Sequence, residues 1–212
     1  MDWTRAIDAY CERTDPGFWA EPVNAVTNLA FLLAALFIWR RTHGAGRVLA
    51  GILFLIGVGS FLFHTFATGW AAMLDTLPIL AFVLVYIFLA NRDFWGWRLW
   101  TAGIGAAAFI PYAVAITPVF AALPFFEVSS FYWSLPVLIL AYAVLLRNRL
   151  PKTARNLAVG AGMLCLSLTA RSLDESLCVT VPFGTHFLWH ILNAMMLAWM
   201  IETWTRHTVR GN

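Results

Sequence analysis

The stretch GVGSFLFHTFATGWAAMLDTLPIL, residues 57–80, is almost wholly apolar, yet it carries Ser60, His64 and Asp75. Its left half ends an apolar run of about residues 48–66, and its right half begins another at about 74–90. Each run is long enough to cross a hydrocarbon core ~30 Å thick as a helix, which takes roughly 17–25 residues. The stretch therefore reads as one membrane helix arriving, a short turn, and the next departing. Unpaired polar groups at that depth cost a few kcal/mol or more, so the remainder of the chain should supply what compensates them.

Five further apolar runs extend the pattern, at about 23–39, 99–116, 128–146, 155–170 and 184–204. With 61% hydrophobic residues, 12% charged residues and a mean hydropathy of +0.74, the 212-residue chain lacks the charge to cover a soluble domain. The fold expected is an all-α integral membrane protein, a seven-transmembrane helix bundle. No repeat, linker or low-complexity tract divides it, so residues 1–212 read as a single domain with an N-terminal segment, 1–22, ahead of the first span. That segment has no apolar core of the kind a cleaved signal peptide carries. Pro78, Pro111 and Pro136 predict local kinks, which bundles tolerate.

The basic residues set the expected orientation. Eleven of them (Arg40, Arg41, Arg47, Arg92, Arg98, Arg147, Arg149, Lys152, Arg155, Arg206 and Arg210) fall at one end of the spans. Only Arg5, Arg13 and Arg171 fall at the other. By the positive-inside rule the N-terminus is outside and the C-terminus cytoplasmic. The basic residues are spread over separate segments, which argues against a nucleic-acid partner. Asp2, Asp8, Glu12, Asp15 and Glu21 crowd the outer end, with Glu127, Asp174 and Glu175. A solvated acidic face accounts for such a pattern without further assumption. Cys11 and Cys178 also fall outside, where a disulfide between them and two unpaired thiols are both compatible with the topology. Cys165 falls mid-helix and needs only packing.

Five polar residues converge on the outer layer. His64 lies ~24 Å up its helix from Val48, at 1.5 Å per residue. Ser60 is one turn earlier on the same face, and Asp75 begins the returning span at the same height. The last span opens GTHFLWHILN, with His186 and His190 at i and i+4 on one face. Three imidazoles from separate spans suit a zinc ion with a fourth position open. Zinc would lower the pKa of water towards ~7. Asp75 would then serve as general base and acid, and Ser60 would donate to the oxyanion of an attacked carbonyl. Plainer readings stand beside this one: His64 as a core histidine, Asp75 as a helix cap, Ser60 bonded to its own helix, and the pair on the last span as haem ligands. Each of these must separately place its residue in the same layer. His43 and His207 belong to the basic end and read as solvated.

With those residues identified, the chain resembles the alkaline ceramidase family of seven-helix membrane hydrolases. Three blocks carry the resemblance: YCERTDPGFWAEPVNAVTN (10–28), GVGSFLFHTFATGWAAMLDTLPI (57–79), and LDESLC with THFLWHILNA within 173–194. The resemblance implies zinc on His64, His186 and His190, with Ser60 and Asp75 assisting. It implies hydrolysis of the amide of ceramide to a sphingoid base and a fatty acid, and a membrane lipid as the partner. It also implies a Cys11–Cys178 disulfide and an N-terminal calcium site. For calcium, Glu12 and Glu21 carry over best, with Asp15 and Asp8 as substitute oxygen ligands. Ala9-Tyr10 stands where animal members carry Asp-Trp. The short loops read as bacterial, which places the protein in an inner membrane with its site towards the periplasm and leaves another N-acyl lipid open as substrate. Two rival classes share parts of the layout. A receptor of the progestin and adiponectin type would need a cytoplasmic partner surface. A metal or proton transporter would need polar residues continuing inwards, and the sequence has none below the outer layer.

Overall fold

The computed structural model describes residues 2–210. Of the expected domain 1–212, residues 1, 211 and 212 lie outside the described residues, as does the side chain of Arg210. The described residues are all-α, and their helices line up as seven antiparallel rods. The first rod is α1 (Pro22–Thr27) continued by α2 (Leu29–Trp39), the second α3 (Ala45–Phe66) and the third α4 (Gly69–Asp93). The fourth is α5 (Leu99–Ala107) continued by α6 (Phe109–Ala121), and the fifth is α7 (Ser130–Leu146). The sixth is α8 (Pro151–Ser172) and the seventh α9 (His186–Arg210). Consecutive rods pack side by side, and α9 closes the ring against α8, α2 and α3.

Five rods are long and apolar enough to cross a membrane: Pro22–Trp39, Ala45–Phe66, Gly69–Asp93, Leu99–Ala121 and Glu127–Leu146. The protein is thus a multi-pass integral membrane protein. The last two rods, 22 and 25 residues long, have the length but are more polar. Their polar residues have physical reasons to be there. Ser167, His186, His190 and Asn193 are buried inside the bundle. Lys152, Arg155, Arg171, Glu202 and Arg206 lie near rod ends. Leu33, Phe37, Leu55, Val114, Leu145 and Leu166 are exposed on the outside, as lipid-facing surface requires.

Rod limits differ from the sequence reading where termini are capped rather than apolar. The third rod begins at Gly69 instead of about 74, because Ala67 adopts φ +45° and ends α3 in a left-handed turn of minimal length. The sixth starts at Pro151, with proline in its favoured first-turn position. The fourth breaks at Ala108 and continues to Ala121. Pro111 sits in the first turn of α6, where its missing N–H and its ring force the break one turn upstream. Pro78 and Pro136 lie inside helices, as does Pro118.

The second and third rods are joined and packed in a way that sets the outer layer. The turn at Ala67 and Thr68 is gripped by the N-terminal segment, with Ile7 donating to the Ala67 carbonyl at 2.7 Å and Ala6 bridging Thr68. Gly59 packs directly against the backbone of the third rod. A Cβ there would penetrate the Leu74 carbonyl and crowd the Asp75 nitrogen. This glycine lets the two helices approach one residue before Ser60, so Ser60 and Asp75 face each other.

Candidate metal centre

His64 comes from the last turn of α3, His186 and His190 from the first two turns of α9. All three are buried, and their ring centroids lie 4.7–5.1 Å apart. One ligand atom from each falls within 4.8 Å of the others. Among the described residues no other group of three His, Cys, Asp or Glu side chains converges in this way.

The surroundings fix which ring nitrogens point inwards. Glu21 Oε2 lies 2.6 Å from His64 Nδ1, and Thr27 Oγ1 lies 2.9 Å from His190 Nδ1. The Thr27 hydroxyl donates to the Val23 carbonyl at 2.8 Å. It therefore accepts from His190, whose proton is on Nδ1 and whose Nε2 lone pair is free. Nε2 of His190 and Nδ1 of His186 are buried with no hydrogen-bond partner. Buried polar atoms without partners are rare and each costs about 1–3 kcal/mol. At His190 the bare Nε2 stands opposite an Nδ1 held by a hydroxyl, and His64 has its Nδ1 held by a carboxylate; holding one ring nitrogen this way is the usual arrangement of histidines around a metal. The donor set fits a divalent cation.

The N-terminal segment covers the centre. Tyr10 stacks on His186 with centroids 3.8 Å apart and tilts over His64 at 5.2 Å. Burial pushes its phenol pKa up, against the pull of the Arg171 guanidinium. The Cys11–Cys178 disulfide joins this segment to the loop before α9, with Cα atoms 5.4 Å apart. Asp174 completes the junction. Its Oδ1 accepts the backbone N–H groups of Thr185 and His186 at 2.7 and 2.8 Å, and its Oδ2 accepts that of Cys11 at 3.0 Å. Gly184, at φ +65°, leaves room for that carboxylate, which any Cβ would strike.

The Asp75 carboxyl adjoins the Ser60 hydroxyl and faces His64 and Arg171. Arg171 is anchored by donating to the Val128 carbonyl and the Ser129 hydroxyl at 2.9 and 2.8 Å, and lies over the rings of Tyr132 and Trp189. The Ceramidase family model matches residues 9–211. The chain belongs to the ceramidase family. No individually curated protein matches it.

In this ceramidase-family chain the five residues expected in the outer layer are gathered at one end of the bundle. The acidic residues behave differently from a solvated face. Glu12 and Glu21 are buried, as is Asp174. Glu12 caps α1, its two oxygens accepting the N–H groups of Val23 and Asn24 at 2.6 and 2.8 Å. Burial raises its pKa, against the pull of those two N–H groups. Glu21 also loses solvation, but its contacts with His64 and Arg13 prevail and hold its pKa below the ordinary value. The calcium expectation gains no support. Glu12 and Glu21 are committed to these partners, Asp15 Oδ1 accepts the Gly17 N–H, and Asp8 joins no converging group. His207 also departs from the reading, being only partly exposed and within 3.2 Å of the Asp93 carbonyl.

Asp174, Tyr10, Thr27 and Arg13 have no place among the site residues expected from the sequence. The signal for the first two is their place inside the blocks 173–194 and 10–28 that carry the family resemblance. Thr27 and Arg13 act across segments that are distant in sequence.

Proposed function

We propose that this protein is a zinc-dependent intramembrane amidohydrolase cleaving ceramide or a related N-acyl lipid to a sphingoid base, or amine, and a fatty acid. The observation that carries the reading is the convergence of three buried histidines, two of them with an unpartnered ring nitrogen, beside the Ser60–Asp75 pair. His64, His186 and His190 would hold the ion. When bound, zinc supplies Lewis acidity and lowers the pKa of water towards ~7.

The chain's own residues complete the chemistry. Asp75 takes the proton from the attacking water and returns it to the amide nitrogen as the C–N bond breaks, so one water is consumed and the amine leaves neutral. The Ser60 hydroxyl donates to the developing oxyanion. Glu21 and Thr27 keep the rings of His64 and His190 in place. Tyr10 and the disulfide-tethered segment shield the site from bulk water.

An apolar cavity supports an acyl substrate. Its near end is lined by Ile79, one turn beyond Asp75, and by Trp189 and Asn193, which flank His190. It continues past Phe82, Tyr86 and Met200 towards the opposite end of the bundle. A groove sharing Ile79, Tyr132 and Leu135 with it runs between α4, α6 and α7 on the lipid side, a route for a chain arriving laterally from the bilayer. The bias of basic residues supports a site towards the periplasmic face.

A mass-spectrometric screen of N-acyl lipids for released fatty acid tests the proposal. Purified protein should release acid from at least one such lipid, and Asp75→Asn should keep its metal while losing most turnover. Full turnover by Asp75→Asn removes that residue from the mechanism. Full turnover by a zinc-free protein refutes the reading.

A further inference from the structure

The cation expected in the N-terminal segment is already present as a side chain. Arg13 is buried, and its guanidinium reaches three oxygens from three parts of the chain. Nε donates to Glu21 Oε1 at 2.5 Å, Nη1 to the Asp15 carbonyl at 3.3 Å and Nη2 to the His64 carbonyl at 3.2 Å. A carboxylate with backbone carbonyls is the oxygen set that a hard cation such as calcium takes. The His64 carbonyl is one of the last four of α3, which have no partner within the helix and carry the negative end of its dipole. The carboxylate is the one whose other oxygen holds His64 Nδ1 at 2.6 Å.

We propose that Arg13 is the resident cation of this site, a positioning residue that acts through Glu21 on His64 and makes the metal centre independent of calcium. Its positive charge repels a second cation from the same oxygens. Its planar fork binds Glu21 and two carbonyls at once, which an ammonium group cannot match. With Arg13 in place, Glu21 is clamped from one side and offers a fixed oxygen to the imidazole. Without it, Glu21 is a buried carboxylate held, apart from His64, only by the longer contact from Asn24 Nδ2 at 3.2 Å; its Oε1 is unpaired, and the metal loses a firmly oriented ligand. Carboxylates that orient metal-bound histidines typically govern 10–100-fold in metal affinity.

This inference rests on the metal-centre reading, so the test uses readouts other than turnover. Zinc affinity by competition with a chelator, and Tm, are measured on purified full-length wild type, Arg13→Lys and Arg13→Met, each in EGTA and in millimolar calcium. Wild type should bind zinc with the same affinity and melt at the same temperature in both conditions. Arg13→Met should bind zinc roughly 10–100-fold more weakly, with Arg13→Lys in between. A calcium-dependent rise in wild-type zinc affinity or Tm overturns the proposal. So does a folded Arg13→Met with wild-type zinc affinity. If Arg13→Met does not fold, Arg13→Lys and the wild-type calcium comparison still decide. Absence of zinc from wild type overturns the metal-centre reading instead.

Discussion

Asp174 accepts the backbone N–H of His186 at 2.8 Å, so the first histidine of α9 in the three-histidine cluster is held by a buried carboxylate twelve residues before it. The same carboxylate receives the Cys11 N–H. It therefore caps the helix and docks the covering segment together. Asp174→Ala should cost about 1–2 kcal/mol from the lost cap, with a further cost from the bare Cys11 N–H. In a chain of this size that lowers Tm by roughly 2–4 °C per kcal/mol. Thermal unfolding in detergent measures it, and zinc affinity should fall in parallel.

Thr27→Val keeps the shape of the side chain and removes the acceptor at His190 Nδ1. Zinc affinity should drop about 10–100-fold, and Tm should fall with a loss of about 1–3 kcal/mol, because the buried Nδ1–H of His190 is left without an acceptor. Chelator competition reads the first quantity and thermal unfolding the second. Equal zinc affinity would mean that the hydroxyl does not orient the ring.

Gly59→Ala drives a methyl into the Leu74 carbonyl. Backbone cannot yield as a flexible side chain does, so the second and third rods must separate. A loss of about 1–3 kcal/mol is expected. Turnover should fall as well, because Ser60 and Asp75 move apart. The pairing of the two effects in one variant, by unfolding and by fatty-acid release, distinguishes it from Asp75→Asn.

Glu21 supplies a pH dependence in metal-free protein. Its folded pKa lies below the ordinary 4.5, so its stabilisation is complete above 4.5 and is lost as pH falls through the lower folded value. The Tm advantage of wild type over Glu21→Gln should be level at neutral and mildly acidic pH and shrink only below that point. An advantage already vanishing at pH 6 would contradict this.

Much of this architecture was legible because the bilayer simplifies the problem. Apolar runs of the right length can only be helices, and the turn between the second and third spans fixes the level of His64 against Asp75. The i and i+4 spacing of His186 and His190 did the same within one helix. Other features were hidden because they depend on contacts between segments far apart in sequence. Asp174 reads as a solvated acid and Glu12 as a solvated acid or a calcium ligand, since nothing local reveals that distant backbone N–H groups need them. Glu21 meets His64 forty-three residues on, and Arg13 meets both. Rod limits were misjudged where a cap or a left-handed residue, as at Ala67, ends a helix without any change in hydrophobicity.

The central claim is that three imidazoles from separate rods hold one ion. Metal analysis of purified wild type and His64→Ala tests it most directly. About one zinc per chain is expected in wild type, as three protein ligands and one open position require, with little or none in a folded His64→Ala. Stoichiometric zinc retained by His64→Ala, or wild type that takes up none when zinc is offered, would contradict the account.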